Sequence, residues 1–318
     1  MVTGGGKRGI LLAIGGAETR VGRASVLAEF VRHCGGAKAR IAVVPTASSL
    51  GPEIEDVYRA AFTRLKVPEV VVVRPENRAE ANSRGVIDQL DDVTGIFLTG
   101  GNQLKLSVVI TGTRFGDAVK AAHRRGITVA GTSAGASIMS SHMVAFGSGG
   151  ATPKQRMTQL AAGLALLEGC VIDQHFEQRN RYGRLLSLVA QSPSLLGIGI
   201  DEDTAAVIGP DDVLDVVGRG SVTVVDGRSL ISNAHEAKHT KPLLVSGAVV
   251  HVLPAGSRFD LATRRLCDTP DTLTPFAIEE LVETKADLRQ LTEDVAAEGV
   301  SPTHLQRRLH RRHIESAQ

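Results

Sequence analysis

The chain of 318 residues predicts an α/β fold built on a doubly wound, mostly parallel sheet, and three observations carry that expectation. Short, wholly apolar runs alternate with amphipathic segments from the start of the chain to about residue 200, the pattern of strands buried on both faces and linked by helices. Apolar residues make up 42% of the chain, yet aromatics supply only 3% and tryptophan none. The core must therefore be filled by Val, Ile, Leu and Ala, which suit a parallel sheet. From about residue 196 the texture changes to short extended runs split by Gly, Asp and Pro, which predict extra C-terminal β-hairpins.

Taken in order, GILLAI (9–14), RIAVVP (40–45), EVVVV (69–73), GIFLTG (95–100) and ITVAG (127–131) are predicted strands. Between them ASVLAEFVRH, IEDVYRAAFTRL and FGDAVKAAHRR place apolar residues at helical spacing with charges opposite, which predicts helices. Strand, helix, strand repeated in this way implies right-handed crossovers and a ligand site outside the carboxyl ends of the strands. CVI and LGIGI add two more strand ends, and AAVI, LDVVG, SVTVVDG and AVVHVLPAG supply the hairpins. Beyond Cys267, Pro275 and a run of acids precede Ile278, Leu281, Val282, Leu288, Leu291 and Val295, spaced along one side of a predicted helix. A further segment carries Arg307, Arg308, Arg311 and Arg312. The expected organisation is an α/β domain over 1–267 and a helical C-terminal extension over 268–318.

Several functions are disfavoured at this level. With 36 basic and 34 acidic residues, a net charge of +2 gives no general attraction to nucleic acid or to membranes. Cys34, Cys170 and Cys267 form no CxxC pair, so neither a disulfide framework nor a zinc site is expected, and a reducing cytoplasm fits. Five apolar residues after Lys7 and Arg8 are too few for a signal-peptide core, and no apolar run of membrane-spanning length occurs. GGGKRG (Gly4 to Gly9) formally matches a dinucleotide loop but precedes the first strand, and GGAET after that strand has the wrong spacing. No nucleotide cofactor is expected.

The chemistry concentrates at three strand ends. Gly131, Ser133 and Gly135 follow ITVAG in the pattern G-x-S-x-G, which sets a serine hydroxyl on a tight strand-to-helix turn. The same small residues could instead exist to let a helix pack close to the sheet. ASIMSSHM is expected to open that helix, with Ser137 one turn on as a packing residue. A serine nucleophile needs a base. His123 is expected on an exposed helix face and His142 within the helix after the turn, whereas His175 closes a strand at the ligand-bearing edge and is the expected base. Arg179, Arg181 and Arg184 follow it, either as a solvated basic face or as guanidinium forks for substrate carboxylates. Asp201, Glu202 and Asp203 end LGIGI, and on spacing each could orient the imidazole. Metal binding by this trio lacks a companion histidine pair.

TGGNQ (99–103), GTSAGA (131–136), DQHF with the trailing RNRYGRL (173–185) and GIDEDTA (199–205) resemble the cyanophycinases, serine peptidases of family S51. IGGAE near the start and LPAGSRFDL (253–261) are also similar to that family, so the resemblance covers about residues 9–267. It implies a flavodoxin-like, class I amidotransferase-like fold and an enzyme that releases β-Asp-Arg dipeptides from cyanophycin, a poly-aspartate bearing arginine on each β-carboxyl, through an acyl-enzyme. It further implies a triad of Ser133, His175 and Glu202, with the backbone N–H groups of Gly100, Gly101 and Ala134 as oxyanion hole. The implied substrate pocket is Gln103, Asp173, Gln174, Arg179, Arg181 and Arg184, with Asp173 facing substrate guanidinium groups. The implied assembly is a homodimer without cofactor or metal. Two other readings keep the same pocket: a peptidase for other aspartyl or isoaspartyl dipeptides, and a non-catalytic binder of acidic peptides. The extension over 268–318 has no counterpart in the resemblance.

Overall fold

The computed structural model of the chain describes residues 8–267. The helices expected beyond Cys267 lie outside the described residues. The first half alternates as its apolar runs require. β1 (Leu11–Ile14) leads to α1 (Ser25–His33), β2 (Arg40–Val44) to α2 (Pro52–Arg64), and β3 (Glu69–Val72) to the single turn α3 (Arg84–Ile87). β4 (Gly95–Leu98) then runs into α4 (Gln103–Ile110) and α5 (Arg114–Arg124), and β5 (Thr128–Thr132) into α6 (Ala134–Ser137). Local chemistry sets the helix starts. Pro52 opens α2 with Glu53 and Glu55 in its first turn, favourable against the helix dipole. Asn102 caps α4 by accepting from the Lys105 amide at 2.9 Å.

The second half is strand-rich. The hairpin of β6 (His142–Gly147) and β7 (Thr158–Ala162) precedes β8 (Cys170–Gln174), α7 (Tyr182–Gln191) and β9 (Leu196–Ile200). β10 (Thr204–Ile208), β11 (Val213–Gly218) and β12 (Ser221–Asp226) follow. The chain then forms β13 (Ile231–Ser232), β14 (Val245–Ser246), β15 (Val249–Pro254), β16 (Arg258–Asp260) and β17 (Arg265–Leu266).

These strands form two large sheets. The first has nine strands in the order β17-β16-β11-β10-β1-β5-β4-β2-β3. β1, β5, β4, β2 and β3 are mutually parallel, while β10, β11, β16 and β17 extend the sheet antiparallel from β1. The second sheet, β15-β12-β9-β8, pairs β8 and β9 in parallel. The main core joins inward residues of both sheets, such as Val129, Ile172, Ile198 and Val224, to α4 and α5. On the far side of the nine-stranded sheet a separate core holds Phe30, Tyr58, Phe62 and Phe97 in mutual ring contact, with centroids 4.9 to 6.3 Å apart. Of the ten Phe and Tyr residues of the chain, these four sit in one cluster between α1, α2 and β4.

The structure corrects three local expectations. The helix after Ser133 is a single turn, and His142 stands at the exposed start of β6. The Ser140 hydroxyl donates to the carbonyls of Ser137 and His142, both at 2.9 Å, giving the backbone an alternative to helix. His123 is buried, and its Nε2–H donates to the Gly9 carbonyl at 2.9 Å, because the end of α5 docks against the entry to β1. The strand ending at Gln174 belongs to the second sheet and not to the one carrying Ser133. Among the described residues no helix is long and apolar enough to cross a membrane.

The ring cluster yields a stability test. Phe97 is fully buried at its centre, so Phe97→Ala should cost about 3–5 kcal/mol. Urea unfolding of the variant checks this as a lowered midpoint at unchanged slope.

Candidate active site

Four loops meet at the carboxyl ends of the strands. Ser133 follows β5 with φ 52° and ψ −109°, outside the regions that L-residues favour, a strain of order 1–3 kcal/mol that surrounding contacts must hold. Its amide donates to the Ile14 carbonyl at 3.0 Å, and its carbonyl accepts from the amides of Ala136 and Ser137. His175 leaves β8 with φ 46°, its amide tied to the Gly15 carbonyl at 2.7 Å. Glu202 sits on the turn between β9 and β10, where its amide donates to Gln178 Oε1 at 3.0 Å.

The side chains converge. His175 Nε2 lies 3.0 Å from Ser133 Oγ, and His175 Nδ1 lies 2.6 Å from Glu202 Oε1. A carboxylate only accepts, so the proton of neutral His175 sits on Nδ1 and the lone pair of Nε2 faces the serine. Burial lowers the proton affinity of His175 below its ordinary value. The Glu202 hydrogen bond opposes that fall, while the nearby charges of Arg179 and Arg181 reinforce it. The arrangement can take a proton from Ser133 and hold the resulting imidazolium.

The three acids left open by spacing have separate partners. Asp201 accepts from the Glu177 amide and from the amide and hydroxyl of Ser221, at 2.8 to 3.1 Å. Asp203 accepts from the amide and hydroxyl of Thr19 at 2.7 and 2.8 Å. Glu202 alone of the three reaches His175. Among the described residues no group of three or more His, Cys, Asp or Glu side chains is arranged to hold a metal ion.

The backbone beside Ser133 is shaped for close approach. Gly101 has φ 144°, and a Cβ there would overlap the Ala47 carbonyl. Gly100 lies against Ser133, since a Cβ on it would stand 3.3 Å from the serine Cβ. Among the described residues the amides of Gly100, Gly101 and Ala134 have no protein acceptor. N–H groups placed this way can receive a developing oxyanion.

The expected pocket residues divide into two groups. Asp173, Gln174, Arg181 and Arg184 are all buried. Arg184 grips Asp173 with two donors, Nε at 2.7 Å and a terminal nitrogen, and gives its other nitrogen to the Gly147 carbonyl at 2.8 Å. Arg181 reaches Asp173 at 3.2 Å and also the carbonyl and side-chain oxygens of Gln174. Burial pushes the Arg181 guanidinium down to about 10, with Asp173 acting in the opposite direction, so it stays charged at neutral pH. The Asp173 carboxylate is thus occupied by two arginines and does not face solvent, in contrast to the substrate contact expected of it. Arg179 is exposed, and Gln103 is half-buried, donating to the Val144 carbonyl at 2.5 Å.

A segment outside the expected site residues, Gly15 to Thr19, braces this site. A Cβ on Gly16, which has φ 104°, would overlap the imidazole of His175, and the Gly16 carbonyl accepts from the Asp203 amide at 2.9 Å. Glu18 accepts from Thr132, the residue before Ser133, at 2.5 Å. The sequence signal for these residues is IGGAE of the family resemblance, which overlaps the GGAET whose spacing does not fit a nucleotide loop.

Comparison with known proteins gives the site a context. The family model described as Peptidase family S51 matches residues 10–216. A cyanophycinase of Trichormus variabilis is 41% identical over 256 residues, spanning 80% of this chain and 86% of the relative. A cyanophycinase of Geminocystis herdmanii is 36% identical over 260 residues, 81% of this chain and 96% of the relative. The crystal structure of a peptidase from an acI-B1 actinobacterium superposes with a TM-score of 0.57 at 22% identity, covering 77% of this chain and 97% of that one. The latter establishes the shared fold.

Two outcomes test the geometry. Because burial holds the His175 pKa below 6.5, the neutral base persists as pH falls. The acid limb of kcat/KM should therefore lie below pH 6.5; a limb above that value contradicts the assignment. Asp173→Asn should leave two buried guanidinium groups short of their counter-ion and cost roughly 3–5 kcal/mol, read by chemical denaturation.

Proposed function

The chain belongs to peptidase family S51 and is a serine-type peptidase, and from that premise we propose that it hydrolyses cyanophycin to β-Asp-Arg dipeptides by a Ser133–His175–Glu202 triad. The observation that carries the reading is the pair of contacts at His175, 3.0 Å to Ser133 Oγ and 2.6 Å to Glu202 Oε1. The named activity of the relatives supplies the substrate.

In this mechanism Ser133 Oγ attacks the carbonyl carbon of an aspartyl backbone amide while His175 Nε2 takes the serine proton. Glu202 keeps the Nδ1 proton in place and stabilises the imidazolium. The oxyanion receives N–H donors from Ala134 and the Gly100–Gly101 loop, a contribution of roughly 10²- to 10³-fold per donor in such sites. Collapse of the tetrahedral intermediate breaks the C–N bond, and His175 delivers its proton to the departing amine. Water activated by the same imidazole then cleaves the seryl ester, releasing the dipeptide and restoring the hydroxyl.

The charges suit a zwitterionic polymer. Exposed Arg179 stands beside the base and can meet a substrate carboxylate through a two-pronged hydrogen bond. Asp173 holds Arg181 and Arg184 in fixed orientation, and Gln174 is a neutral acceptor for Arg181, so this buried cluster of two arginines and one carboxylate keeps a net positive charge. In this reading Asp173 acts through its arginines and does not contact the substrate arginine.

The test pairs purified cyanophycin with the parent and with Ser133→Ala. The parent should release β-Asp-Arg, identified by mass, and the folded variant should lose turnover by about 10⁶-fold. Parent-level hydrolysis by Ser133→Ala sinks the triad. Cleavage of other isoaspartyl dipeptides without attack on the polymer moves the substrate class. Failure of a fluorophosphonate probe to label the parent favours a binding module.

A further inference from the structure

The mechanism leaves one fully buried carboxylate without a task. Glu18 lies in the loop after β1, its side chain wholly screened from solvent. It accepts four hydrogen bonds from three parts of the fold. Thr132 Oγ1 donates to Oε2 at 2.5 Å, and Oε1 receives Tyr58 of α2 at 2.7 Å and the Arg20 guanidinium through Nε at 3.1 Å and a terminal nitrogen at 2.9 Å. Arg20 is half-exposed and also lies over the Tyr58 ring.

We propose that Glu18 is a positioning residue for the nucleophile, acting through Thr132 to hold Ser133 in its strained conformation. The proposal rests on the reading of Ser133 as the nucleophile. Taking a carboxylate out of water costs several kcal/mol, and an apolar group of similar shape is often at least as stable. Stability alone therefore gives a poor reason for a charge here. Geometry gives a better one, because Thr132 is the last residue of β5 and its hydroxyl is fixed one residue before the φ of 52°. Glu18 is anchored in turn by α2 and by the loop that touches His175, so the elbow cannot relax without moving Thr132 away from its acceptor. A charged acceptor makes a stronger, more directional bond than a neutral one. Displacing a reacting oxygen by about 1 Å can cost on the order of 10²-fold in rate.

The test measures the rate of acylation of Ser133 by a fluorophosphonate probe, with label position confirmed by peptide mapping and folding followed by circular dichroism. Glu18→Gln keeps the shape but gives Oε1 and Oε2 different roles, so one set of donors loses its acceptor. Thr132→Val removes the donated proton at nearly constant volume, and Thr132→Ser restores it. Glu18→Gln and Thr132→Val should acylate roughly ten- to a hundred-fold more slowly than the parent while folded, and Thr132→Ser should recover most of the rate. A purely structural role would lower the melting temperature and leave the acylation rate of the folded protein untouched, which overturns the proposal. If either slowed variant does not fold, the other decides alone. A parent left unlabelled at Ser133 overturns the nucleophile reading and this proposal together, whereas a labelled parent with an unaffected Thr132→Val overturns this proposal only.

Discussion

The site depends on one short segment, Gly15 to Thr19, which contacts the loops that carry Ser133, His175 and Glu202. The Gly15 carbonyl holds the His175 amide, Gly16 packs against the imidazole and binds the Asp203 amide, Glu18 binds Thr132, and Thr19 binds the Asp203 carboxylate. Ser133, His175 and Asp203 all have positive φ, a conformation that costs free energy for any residue with a Cβ. Three such residues persist together only because contacts from outside their own loops hold them, and this segment supplies contacts to all three loops.

That dependence follows from the architecture. The serine stands at the end of a strand in the nine-stranded sheet, while the histidine and the glutamate leave strands of the four-stranded sheet. A hydrogen bond of 3.0 Å between Ser133 and His175 therefore needs the two sheets to stand in fixed register. The shared apolar core, which includes Val129, Ile172, Ile198 and Val224, joins the two sheets, but burial is not directional. Direction comes from the polar ties at the sheet ends, where a lost partner is costly because the remaining group is buried.

Buried carboxylates recur in these ties. Asp173 gathers Arg181 and Arg184, Asp201 gathers Ser221 and the Glu177 amide, and Glu18 gathers Tyr58, Arg20 and Thr132. Each charge is matched by several donors, the condition under which a buried ion is tolerated. The consequence for recognition is that the basic block after His175 is not one uniform surface. Arg179 faces solvent, whereas Arg181 and Arg184 are held below it by Asp173, so the same letters perform two different tasks.

The sequence by itself determined the strand and helix alternation, because burial on two faces demands unbroken apolar runs such as LLAI and GIFL and burial on one face demands the helical stripe of FGDAVKAAHR. It also placed Ser133 and His175 at strand ends, since G-x-S-x-G and a histidine closing an apolar run are local patterns. His123 and His142 were misplaced because burial of a histidine depends on what docks against it, here the entry to β1, and because the Ser140 hydroxyl competes with helix. Spacing could not choose among Asp201, Glu202 and Asp203, adjacent residues of nearly equal chemistry. The family resemblance pointed to Glu202, and the tertiary structure places it against the imidazole; only the tertiary structure decided that His175 comes from a second sheet, that Asp173 faces its own arginines, and that Glu18 accepts from Thr132. Each of those outcomes is a meeting of residues far apart in the chain, set by sheet packing and by the partners a buried charge must find, and neither is written in any local pattern.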